Sequence, residues 1–240
     1  MTNNLNYTFN KMTANEIASK IIEKEEAYLK TDIDSLTFKE KCELLLHNNS
    51  THHPLFRSLD TSRLGASVSP ELIRRAEEKD ALALYYLAAI NDKSLPRTDT
   101  RLGYLERAMN AGSLGARVQY ASRFCNDGTD MTLKILEETL ALYSTGDLID
   151  DDGDGLYRCY DMLSRCARTP IDRERYQRIL DELSVKLTLE GDWRAVTYLC
   201  IKESSTDEER AFWKSVAYIT RSYFYDKGAI QFKDILSTSK

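Results

Sequence analysis

Glycine and proline are scarce in this chain, ten and four among 240 residues. An all-β fold needs a turn every few residues and draws on those two types, so their shortage disfavours sheets and favours helices. Also missing is any apolar run approaching the roughly 20 residues that a membrane helix requires, so no membrane partner is expected. The opening Met1-Thr2-Asn3-Asn4-Leu5 holds no basic stretch leading into an apolar one, and no secretory leader is expected there. No two of the five cysteines are spaced as C-x-x-C. Cys42, Cys125, Cys159, Cys166 and Cys200 are therefore expected to be reduced thiols filling core space in a cytoplasmic protein. Cys159 and Cys166 fall two turns apart along a helix, too far for a disulfide within it. A basic surplus is absent as well. The net charge is −5, which argues against nucleic acid as the main partner. No G-x-S-x-G, glycine-rich phosphate loop or H-E-x-x-H occurs, and nothing pairs a nucleophile with a base, so the chain reads as non-enzymatic. The three histidines, His47, His52 and His53, have no acid or cysteine at ligand spacing, and exposed loop positions are expected for them.

What is present points to helices. The composition, 42% hydrophobic and 30% charged, suits a folded protein. Residues 1–68 read as an N-terminal helical region with a polar arm and a linker. Ile17, Ile21, Tyr28 and Leu29 fall near one face of a helix from about Asn15 to Lys30. Phe38, Cys42, Leu45 and Leu46 mark a second helix, and the Ser/Thr-rich stretch from Asn48 to Ser69 reads as a long connection. Residues 69–204 read as a series of helix pairs, and 205–240 as a capping helix and tail. Ser69-Pro70 and Thr169-Pro170 each offer an N-cap followed by a proline at the first helical position, where its missing N–H costs nothing. Asp130 is placed to cap another helix, and Thr206 with Glu209, or Ser205 with Glu208, forms a capping box. Gly112 and Gly191 stand where helices should end in a left-handed residue. A terminal helix is expected over about Asp207 to Asp226, with Phe212, Val216, Ile219 and Tyr223 on one face and Trp213, Ala217 and Phe224 on the next.

Three segments align on small residues. Ala83, Ala116 and Ala195 are each followed five positions later by another small residue, Ala88, Ala121 and Cys200. A large side chain precedes each of the latter, at Leu87, Tyr120 and Leu199. A small residue at a helix crossing lets a neighbouring backbone approach, and the large one beside it fills the groove. The stretch Tyr104-Leu105-Glu106-Arg107-Ala108-Met109-Asn110-Ala111-Gly112-Ser113, continuing through Ala116, Tyr120 and Ala121 to Phe124, resembles the Sel-one-like repeats, relatives of the tetratricopeptide repeats. It looks like that family's aromatic–Lys/Arg–Ala–x–x–x–Gly signature running into a second helix. Ala76 to Ala88, Cys159 to Ala167 and Gly191 to Cys200 fit it in part, and the usual glycine-rich loop after the second helix is weak. The resemblance covers about Ser69 to Ile201. It implies an all-α fold of antiparallel helix pairs stacked as a right-handed α-solenoid. It further implies an adaptor or scaffold that binds a protein or peptide on its concave face, in a regulatory or immunity-type role.

One local motif is sharp. Asp150-Asp151-Asp152-Gly153-Asp154-Gly155, ending at Asp161, matches the D-x-D-x-D-G-x5-acid calcium loop. Asp150, Asp152, Asp154 and Asp161 would supply the side-chain oxygens, and Leu156 a carbonyl. Tyr157 stands where a small β-branched residue usually packs, and Arg158 puts a cation near the ion. The competing reading is a solvated acidic connector whose last aspartate caps the next helix; an enzyme using this loop is the remaining variant of the calcium idea. No other cofactor is expected. Arg158, Arg165, Arg168, Arg173, Arg175 and Arg178 form a locally basic run interleaved with Asp161, Asp172 and Glu174. Most of these arginines are expected as i,i+4 partners of the acids, with a nucleic-acid or phosphate groove as the alternative. Tyr104, Arg107, Tyr157 and Tyr160 are the candidate partner-binding residues, because Tyr and Arg are enriched at interface hot spots.

Overall fold

The computed structural model describes residues 12–30, 32–48, 61–90, 99–124, 129–149, 155–201 and 206–226. Among them the fold is all-helical, with eleven α-helices and one isolated β-bridge. In chain order these are α1 (Ala14–Lys30), α2 (Phe38–Asn48), α3 (Thr61–Glu77), α4 (Ala81–Ala89), α5 (Arg101–Asn110) and α6 (Leu114–Ala121). They are followed by α7 (Thr129–Thr145), α8 (Gly155–Cys166), α9 (Pro170–Leu189), α10 (Trp193–Ile201) and α11 (Asp207–Asp226). None of the described helices is long and apolar enough to cross a membrane.

Side chains set most of the helix starts. Thr13 with Glu16, Thr37 with Glu40 and Thr206 with Glu209 form reciprocal capping boxes at α1, α2 and α11. Asp80, Thr100 and Ser113 each accept the third amide of their helix, Ala83, Gly103 and Ala116, at 3.0 Å. Thr169 Oγ1 accepts from the Asp172 amide at 3.1 Å, so Pro170 does open α9. Asp130 stands in the first turn of α7, one residue inside it, where its charge still favours the helix dipole.

Four helix ends share one device. Asp80, Ser113, Asp147 and Asp192 donate their backbone N–H to carbonyls five residues back, Arg75, Ala108, Leu142 and Leu187. The residue before each is left-handed: Lys79 (φ 63°), Gly112 (φ 92°), Gly146 (φ 80°) and Gly191 (φ 84°). Glycine carries this conformation without a Cβ clash, whereas Lys79 bears some strain.

Ser69-Pro70 does not start a helix. Helix α3 begins at Thr61 and runs through Pro70 to Glu77, so it also takes up part of the stretch expected as a connection. Leu64, Val68, Leu72 and Ala76 recur every fourth residue across the proline, and all are buried. That continuous stripe outweighs the one helix hydrogen bond Pro70 forfeits. A proline inside a helix costs about 3 kcal/mol, while each fully buried Leu or Val contributes roughly 1.5–3 kcal/mol.

Contacts sort the chain into two units. Among the described residues, the first joins residues 12–30 to residues 180–201 and 206–226. Within it α11 packs on both α1 and α10, around Ile17, Ile21, Val196, Leu199, Trp213 and Val216. The second unit holds the described residues between 32 and 48 and between 61 and 179. Here each helix packs on the next from α2 through α8, and two alternate pairs, α2 with α4 and α6 with α8, also touch. Leu114, Val118, Leu136, Cys159 and Leu163 centre one of its cores. The apolar face of α1 is covered by the C-terminal helix α11.

Candidate functional site

The alternate helices of the second unit meet at Gly115. A Cβ on that glycine would lie 2.9 Å from Tyr85 Cζ and 3.2 Å from Arg158 Nη2. Only a bare Cα lets the Tyr85 ring from α4 lie against α6. Arg158 of α8 donates to the Tyr85 hydroxyl at 3.0 Å, its guanidinium 6.0 Å from the centre of that ring. Ala116, the next residue, is fully buried, as Ala83 and Ala195 are in their own helices. Arg158 is thus committed to a tyrosine on α4. Neither Tyr85 nor Gly115 was a candidate from sequence. The available signal was a glycine in the first turn of a short helix, where it weakens the helix unless another chain must approach.

The acidic motif is pinned on its N-terminal side. Leu114 N–H donates to Ile149 carbonyl, and Ile149 N–H to Gly112 carbonyl, both at 2.9 Å, forming the isolated bridge. Asp150, Asp152 and Asp154 lie outside the described residues, as do Asp151 and Gly153. Asp161, the last carboxylate of the calcium pattern, accepts from Nε and Nη2 of Arg165 one turn on, a bidentate i,i+4 pair.

The partner-binding candidates separate. Tyr104 is buried in α5, with the Arg107 guanidinium 5.7 Å from its ring. Arg107 Nη2 donates to Ala76 carbonyl at 3.2 Å, a cation at the end of α3. These two residues therefore hold the helices together. Tyr157 and Tyr160 are half-buried on α8. Tyr160 pairs with Tyr176 of α9, ring centres 6.3 Å apart and planes tilted 47°. Burial pushes both phenols above their ordinary range.

Beside that pair lies a cleft of about 230 Å³ between α7 and α9. Leu133 and Ala167 give it an apolar lining. Lys134, Glu137, Arg168 and Tyr176 give it polar walls. Arg168 is paired with Asp130 across its edge. Of the histidines, His52 and His53 lie outside the described residues, and His47 falls on α2. Cys125 also lies outside them, while Cys42, Cys159 and Cys200 are buried. Burial pushes the Cys159 thiol up to about 12 and that of Cys200 up to about 11, with Cys42 raised further. These thiols stay protonated at neutral pH and act as packing. No family model, curated protein or solved structure matches this chain.

Proposed function

We propose that this chain is a non-enzymatic adaptor that binds another protein, built from helix pairs of the Sel-one-like, tetratricopeptide-related kind. On this reading the pairs stack as a right-handed solenoid and the protein works in the cytoplasm. The observation that carries it is the second unit's packing. Helices there pack in chain order, and alternate helices also come together, with Tyr85, Gly115 and Arg158 bridging three of them. Stacked helix pairs give that pattern, and they present extended surfaces on which specificity can vary without disturbing the core. The chemistry of the thiols agrees with a binding role, since buried, protonated cysteines are poor nucleophiles.

Retrieval of the tagged full chain from lysate of its own cells, with and without a calcium chelator, tests this. The expected result is a protein partner, identified by mass spectrometry, that survives chelation and is lost on joint Tyr157→Ala and Tyr160→Ala substitution. Recovery of nothing above the untagged control, or of a partner released by the chelator, would contradict the proposal.

A further inference from the structure

We draw no further inference here: the strongest candidate, the α7–α9 cleft with Met131 and Ile171 exposed beside it, carries nothing because the cations and carboxylates around it match in number and nothing in the structure shows what covers it.

Discussion

Each of the two units is held together internally by a different kind of contact. In the second, each helix from α2 to α8 lies against its neighbour in sequence, so its core forms from contacts close along the chain. In the first, Ile17 and Ile21 of α1 share a core with Trp213 and Val216 of α11, from the far end of the described chain. Contacts of the first kind cost little loop-closure entropy, and those of the second cost more before they are rewarded. The comparison teaches that a chain with locally legible helix pairs can still depend on one contact spanning almost its whole length, which no local pattern announces.

The largest effect is expected in the long-range core. Trp213 is buried and meets Phe212 edge-on, ring centres 5.1 Å apart. Trp213→Ala should cost about 3–5 kcal/mol of stability in urea unfolding. A loss under about 1 kcal/mol would mean that this core is not closed as described.

Next comes the second unit. Ala116 has no room to grow, and Ala116→Leu should cost about 1–3 kcal/mol by overpacking. A melt unchanged from wild type would break the helix register drawn around Gly115 and Tyr85.

A matched pair of glycines sharpens the comparison. Gly112 in the second unit and Gly191 in the first end their helices with the same hydrogen bonds and nearly the same φ. Each Gly→Ala change should cost about 1 kcal/mol from backbone strain. Gly191→Ala should be somewhat worse, since its Cβ would lie 3.0 Å from Lys24 Cδ, against 3.3 Å from Asp147 carbonyl for Gly112. The reverse order in paired melts would show that local contacts do not set the difference.

The smallest effect is electrostatic. The guanidinium groups of Arg74 and Arg75 hold the Glu71 carboxyl down to about 2, from an ordinary 4.5. A depressed carboxyl adds stability that is present above its unfolded value and is lost as pH falls through the folded one. Stability should therefore decline as pH drops from about 4.5 toward 2, and Glu71→Gln should flatten part of that slope. The pair is exposed, so a weak dependence that salt reduces is expected. A slope unchanged by Glu71→Gln would remove it from the account.

Much of the helical outline was legible. The Thr206–Glu209 box and the apolar faces of α11 gave that helix its limits, and Thr169-Pro170 gave the start of α9. Gly112 and Gly191 are left-handed as their positions required. The failure at Ser69-Pro70 is instructive: the punctuation was read ahead of the period, and the buried stripe from Leu64 to Ala76 was the stronger signal. The site was less legible. Composition marked Tyr104 and Arg107 as recognition residues; Tyr104 is buried, whereas Arg107 stays exposed while donating to the Ala76 carbonyl. Conversely, the cleft and the meeting of Tyr85, Gly115 and Arg158 depend on which helices touch, which a one-dimensional pattern does not carry.

The central claim is that three helices of the second unit meet at one point, with Arg158 of α8 reaching Tyr85 of α4 past Gly115 of α6. A double-mutant cycle of Tyr85→Phe and Arg158→Met, followed by urea unfolding, measures it most directly. The account predicts a coupling of about 0.5–1.5 kcal/mol, the scale of one partly buried hydrogen bond with a cationic donor. Losses that add to within about 0.3 kcal/mol would contradict that meeting and, with it, the basis for the adaptor reading.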